Sequence, residues 1–267
     1  MLNPLRDSLP AMLAERSIAD ALRSWALPLG CPMGYLQHQR SATVEREWDK
    51  EPVVRTFTRD GVGLVSVPSA DALDLALDQA ETEALLSLTR REARPGSVVE
   101  LRAVQLMVSE DPAALALLDI GTLLPRGRTI AALVYDPAPI VLDMLRNDVT
   151  PWEWKQAGGL EPAIRRVGAL SGGVLVALAT MDAPVGHLAR VRVLVAPRHR
   201  RLGFGRVVLH ALSRHVLDAG LLPYYRLSMN DLAARAMMRA VGFVTFAKSL
   251  TMRAASLQPV DSVYAGI

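Results

Sequence analysis

Cysteine is nearly missing from this 267-residue chain: Cys31 is the single one. No disulfide can close within one molecule, and a zinc site built on several thiolates is excluded. Lysine is almost as scarce, with Lys50, Lys155 and Lys248 the only three among 30 basic residues. Against 27 acidic residues the net charge is +3, without a dense basic tract, and aromatic residues are 5% of the chain. Balanced charge and few stacking platforms disfavour a nucleic-acid partner. Long apolar runs are missing too. The longest weakly charged stretch, Val167 to Met181, is short for a bilayer and is cut by Gly168, Gly172 and Gly173. The N-terminal stretch carries Asp7 and Glu15 among its apolar residues, unlike a secretory leader. No spacing of His, Cys or carboxylates reads as a metal site. A cytoplasmic protein with no membrane partner and no metal is the expectation.

What is present suits one or two buried cores: 51% of the residues are apolar. Leu9 to Leu27 has helical spacing. Val53–Thr58 and Gly63–Val67 read as strands around Asp60-Gly61, Ala72 to Arg91 as a helix, and Val98 to Val108 as a strand. A boundary is expected near residue 118. It divides residues 1–118, an α/β domain of unknown role, from residues 119–267. The second part alternates clearly. Strands are expected at Thr129–Val134, Arg165–Leu170, Val174–Thr180, Leu188–Val195, Tyr224–Met229 and Phe243–Thr251. Helices are expected at Pro137–Arg146, Gly205–Ala219 and Asp231–Val241, the last capped by Asp231. Ser171-Gly172-Gly173 marks a hairpin. The order implies a mixed α/β layer fold.

The segment richest in chemistry is residues 191–212. A β-branched strand stops at Pro197. Arg200-Arg201-Leu202-Gly203-Phe204-Gly205-Arg206 follows and leads into an amphipathic helix. Such a turn aims backbone N–H groups and a helix dipole at one point, which suits a phosphate or pyrophosphate. A plain strand-to-helix connection is the other reading. The segment is neither a Walker loop nor a dinucleotide fingerprint, because Gly-Lys-Ser/Thr and the third glycine are both missing.

Here the residues resemble the GCN5-related N-acetyltransferases (GNAT). Val195-Ala196-Pro197 precedes Arg200-x-x-Gly203-x-Gly205, and Asn230-x-x-Ala233 leads to Gly242-Phe243. The resemblance covers roughly residues 120–255. It implies a mixed central sheet flanked by helices, with a smaller α/β region before it, as in related two-part acyltransferases. It also implies acetyl-CoA as co-substrate and an amine acceptor, either a small molecule or a peptide, on a monomer or homodimer. Carried over residue by residue, the Val193-Leu194-Val195 backbone would pair with pantetheine. The turn of Arg200, Arg201, Gly203, Phe204, Gly205 and Arg206 would hold the pyrophosphate, and Asn230 would meet the pantetheine arm. Glu153 and Glu161 fall where the acceptor enters and could take its proton. Many relatives have a proton-donating tyrosine in the last helix. Counting from Asp231, that place is taken by Met238, expected to face the cleft, and methionine has no proton to give.

Other residues carry open alternatives. Trp152 and Trp154 could line an acceptor pocket or plug a joint between domains. Tyr225 reads as packing more than as a proton donor. His187, His199 and His210 read as solvated. Two functions follow: an acetyl-CoA-dependent N-acetyltransferase acting by direct attack in a ternary complex, or a weak or inactive CoA-binding sensor.

Overall fold

The computed structural model describes residues 23, 41–44, 53–59, 62–67, 87, 89–90, 97–109, 114–115, 118–125, 132–158 and 163–256. The first expected helix and Glu161 lie largely or wholly outside the described residues. By contacts the chain forms two compact units.

In one unit, strands β1 (Ser41–Val44), β2 (Val53–Arg59) and β3 (Val62–Val67) form a small sheet. β1 runs parallel to β3, and β2 runs antiparallel to it. Residues Lys248 to Arg253 of the last strand pair antiparallel with β2. The two strands expected here are present and pair, while Asp60-Gly61 lies outside the described residues. β4 (Ser97–Ser109) starts in this unit and ends in the other.

The second unit holds the longer alternation. Helix α1 (Ile120–Leu123) is followed by β5 (Ala132–Tyr135), α2 (Pro139–Asp148), α3 (Pro151–Gln156), β6 (Arg165–Ser171), β7 (Val174–Met181) and β8 (Leu188–Val195). Then come α4 (Phe204–Asp218), β9 (Leu222–Ser228), α5 (Leu232–Ala240) and the first residues of β10 (Phe243–Ser256), most of which belongs to the other unit. β5 through β8 pair antiparallel in sequence order, and β9 joins β8 in parallel. The expected mixed sheet flanked by helices is present. The β6–β7 hairpin turns on Gly172 and Gly173, both at positive φ, which the twist of a two-residue hairpin requires.

Two apolar layers cover the two faces of this sheet. α4 packs on one face through Val207, Val208, Leu209, Leu212 and Val216 against Val167, Ala169, Ala177, Ala179 and Val191. On the other face, Leu145 of α2 and Trp154 of α3 cluster with Leu175, Leu178 and Leu194. The strand alternation therefore assigns Val191, Val193 and Val195 to the α4 side and Arg190, Arg192 and Leu194 to the α3 side. α3 was not expected as a helix, although its start is a full capping box. The Thr150 hydroxyl accepts from the Glu153 N–H, and the Glu153 carboxylate accepts from the Thr150 N–H, with Pro151 at the first helical position.

Three sequence expectations need correction. Met238 is fully buried in the α4-side core and does not face a cleft. The helix face was misassigned because Ala233, Ala236 and Ala240, expected inside, are exposed. His210 is not solvated: it is fully buried, with Nε2 2.9 Å from the Leu115 carbonyl oxygen, and burial lowers its pKa. Of the tryptophan pair, Trp154 is core and Trp152 is exposed. Met238→Ala is expected to cost about 2–5 kcal/mol, as large-to-small changes in a tight core do. Met237→Ala, at a partly exposed neighbour, should cost clearly less. Urea unfolding midpoints of the two variants check the assignment.

Candidate active site

The ladder between β8 and β9 is short. It runs from Leu188↔Leu222 to Arg190↔Tyr224 and stops. Beyond it, Val191 to Val195 and Tyr225 to Ser228 line the two sides of a cleft of about 820 Å³. α3 borders the cleft through Trp152, Glu153 and Gln156, and α5 through Ala233, Ala236 and Met237. The turn from His199 to Arg206 closes one end.

That turn is built by backbone conformation. A short 3-10 turn, Pro197–His199, follows β8. Arg201 and Gly203 then both adopt positive φ, 63° and 87°. Gly203 is the N-cap of α4 and offers no capping side chain. The Arg206 and Val207 N–H groups both turn to the Gly203 carbonyl, at 3.0 and 3.2 Å. Among the described residues, the N–H groups of Gly203, Phe204 and Gly205 have no backbone acceptor. They sit at the positive end of a 15-residue helix, next to Arg201 and Arg206. An anion suits this place.

The glycines themselves answer to the chain's own packing. A Cβ on Gly203 would lie 2.8 Å from the Leu123 carbonyl oxygen and 2.9 Å from Pro125 Cδ. A Cβ on Gly205 would lie 2.7 Å from Met237 Sδ and 3.2 Å from Val195 Cγ2. Space for phosphate is thus not what demands a glycine at either position.

Of the residues expected to meet a cofactor, Val193, Leu194, Val195, Arg200, Arg201, Gly203, Gly205 and Arg206 all border the cleft. Phe204 and Asn230 do not. The Phe204 ring is buried in the core, edge-on to His199 at 5.9 Å between centroids. Asn230 is exposed in the turn before α5, and its N–H donates weakly to Ser228 Oγ at 3.5 Å. Asp231 is the N-cap expected, its Oδ1 accepting from the Ala234 N–H at 2.9 Å.

Glu153 borders the cleft, but its oxygens are committed. Oε2 accepts from the Thr150 N–H and hydroxyl, each at 3.0 Å, and Oε1 accepts from Arg200 Nη2 at 2.6 Å. The Thr150 amide and the Arg200 guanidinium hold its carboxyl below the usual glutamate range, which opposes a role as proton acceptor. Arg200 is equally committed, its Nε donating to the Val195 carbonyl at 3.1 Å. The pair ties α3 to the end of β8.

Tyr225, expected as packing, is half-buried and borders the cleft. It stands where the two strands part, and its hydroxyl oxygen accepts from the Val193 backbone N–H. Burial pushes its pKa up to about 12, so it is neutral and keeps its proton through the physiological range. On the α3 face, Arg192 grips Asp182 Oδ2 through Nε at 3.0 Å and Nη2 at 2.6 Å.

Residues 166–252 match the family model described as FR47-like protein. No curated protein matches the chain. Among solved structures, a GCN5-related N-acetyltransferase-like protein from Streptococcus suis is 15% identical. It covers 89% of this chain and 100% of its own, with a TM-score of 0.50. A GCN5-related N-acetyltransferase from Kribbella flavida is 13% identical, over 88% of this chain and 95% of its own, with a TM-score of 0.46. An acetyltransferase of the GNAT family from Colwellia psychrerythraea is 16% identical, over 66% of this chain and 63% of its own, with a TM-score of 0.43.

Two outcomes test the geometry. Gly203→Ala should destabilise by at least about 1–3 kcal/mol, because it adds left-handed strain to a clash with backbone. Gly205→Ala meets only side chains, has no such strain, and should cost less; denaturant unfolding compares them. Glu153→Gln keeps the capping box but loses the partly exposed ion pair, and should lower stability by up to about 1 kcal/mol near neutral pH. Because the folded-state pKa of Glu153 is depressed, this difference is full above pH 4.5. It should shrink as the pH falls through the lower folded value, which paired thermal melts against pH would show. Residues 166–252 are thus similar to the FR47-like family model, and the chain shares its fold with the GCN5-related N-acetyltransferase-like protein from Streptococcus suis.

Proposed function

We propose that this chain is an acetyl-CoA-dependent N-acetyltransferase that moves an acetyl group to a primary amine. The observation that carries the reading is the cleft between β8 and β9, which runs from unpaired strand backbone to the uncapped N-terminus of α4. The residues suit coenzyme A. The Gly203 to Gly205 amides, with Arg201 and Arg206, offer donors and charge for a pyrophosphate, and the Val193–Val195 backbone offers a strand edge for pantetheine. Acetyl-CoA supplies the activated acyl group as a thioester.

The chain's own part is positioning and proton handling. A neutral amine attacks the thioester carbonyl carbon; the C–N bond forms and the C–S bond breaks. The nitrogen gives up one proton and the departing thiolate takes one. Tyr225 fits the second task. Its oxygen already accepts from Val193, which leaves its own O–H free to donate, and its raised pKa keeps that proton in place. Among the described residues, both carboxylates bordering the cleft are engaged: Glu153 is held by Thr150 and Arg200, and Asp231 caps α5. In this reading water accepts the amine proton. The same observation favours the second reading, a weak or inactive CoA-binding domain.

Thiol release with acetyl-CoA and a panel of primary amines separates the two. Turnover with Tyr225→Phe reduced about 10²–10⁴-fold, at unchanged acetyl-CoA affinity by calorimetry, supports the enzyme. Tight acetyl-CoA binding with no amine acetylated supports the sensor. Loss of neither affinity nor rate in Tyr225→Phe removes Tyr225 from the chemistry.

A further inference from the structure

On the α3 side of the cleft, among the described residues, two arginines share one carboxylate. Arg190 and Arg192 point to this face from alternate positions of β8 and both border the cleft. Asp182 is the acidic group facing them. Its Oδ2 takes two hydrogen bonds from Arg192, at 3.0 and 2.6 Å, while Arg190 Nη1 stands 3.8 Å away, beyond hydrogen-bond reach. Arg190 Nε is buried and, among the described residues, has no hydrogen-bond partner. Tyr224 also faces this group. Its pKa is raised, with burial the largest cause, so it is neutral and adds no negative charge. The other nearby carboxylate, Glu153, is spent on Arg200. Among the described residues, Asp182 thus serves both Arg190 and Arg192.

A buried donor without an acceptor is unfavourable, and a guanidinium beside an over-subscribed carboxylate attracts a second anion. The ligand expected at the opposite end cannot supply it, because that end has its own donors at the α4 turn. Arg190 lies three residues before Val193, about 10 Å along an extended strand. An arginine side chain and a small ligand together span that distance. We infer that the acceptor is an amine that also carries a carboxylate, held by Arg190 on the α3 side while its amine points to the gap beside Val193 and Tyr225. This rests on the acetyltransferase reading of the cleft and names the class of its second substrate.

The test compares free amino acids with their carboxamides and with the matching decarboxylated amines, using acetyl-CoA and thiol release. The carboxylates should lead the neutral acceptors by about tenfold to hundredfold in kcat/KM, the usual worth of a hydrogen bond to a charged group. Arg190→Gln should erase that lead by raising KM for the carboxylates at least tenfold more than for the neutral acceptors. Arg190→Lys, which keeps the charge without the fork, should retain part of it. A melting curve close to the parent's shows that the Arg192–Asp182 pair and the fold survive. Equal use of neutral and carboxylate acceptors, or an unchanged preference in Arg190→Gln, overturns the inference and leaves the acetyltransferase reading standing. If acetyl-CoA binds but no amine turns over, the acetyltransferase reading fails. Thermal shift of the acetyl-CoA-bound protein then decides the Arg190 site by itself: stabilisation by amino acids, but not by their carboxamides, and its loss in Arg190→Gln support the site, and no difference overturns it.

Discussion

Backbone N–H and C=O groups must find partners, and a sheet satisfies them by pairing neighbouring strands. Between β8 and β9 this pairing ends at Arg190 and Tyr224, while both strands run on. That early stop governs the rest of the site. It opens a groove with strand backbone on its wall, gives Tyr225 a place between the strands, and separates the α4 face from the α3 face within a single cleft. The turn after β8 then sets a helix N-terminus across one end. No feature of the cleft needs a long insertion or a mobile segment; it is a sheet with part of its ladder left out.

Much of this architecture was legible in the sequence. The strand that ends before Pro197, the glycine-bearing turn and the amphipathic α4 marked the end of the cleft that suits an anion, and Gly172-Gly173 marked the hairpin. Asp231 stood out as a cap because a short acceptor side chain preceded a helical run. The face of α5 did not stand out. Its alanines have so little side chain that either face passes for apolar, and the choice fell to two adjacent methionines. The structure buries Met238 and turns Met237 to the cleft.

Glu153 shows a different kind of miss. Thr150-Pro151-Trp152-Glu153 carries the spacing of a capping box, a local signal of a helix start. Two flanking tryptophans drew attention to a pocket instead. Pairing with Arg200 links residues 47 apart in sequence, and no local pattern announces it. Tyr225 was missed for a related reason: its value depends on where the neighbouring strand departs, which is a property of two segments together. Arg200 also illustrates why arginine predominates here. One side chain donates to the Val195 carbonyl and to Glu153 at once, which needs a planar fork with donors in two directions.

The contact between Gly205 and Met237 has a consequence for how this sequence can vary. The first turn of α4 and the wall of the cleft touch through one missing side chain and one flexible thioether. The two positions therefore form an epistatic pair. A methyl group gained at 205 is accommodated if the Met237 thioether swings aside or bulk is given up there, while a smaller residue at 237 alone leaves the groove wider and α4 less supported. Drift at either position is gated by the other, and the breadth of the groove is inherited as a property of both.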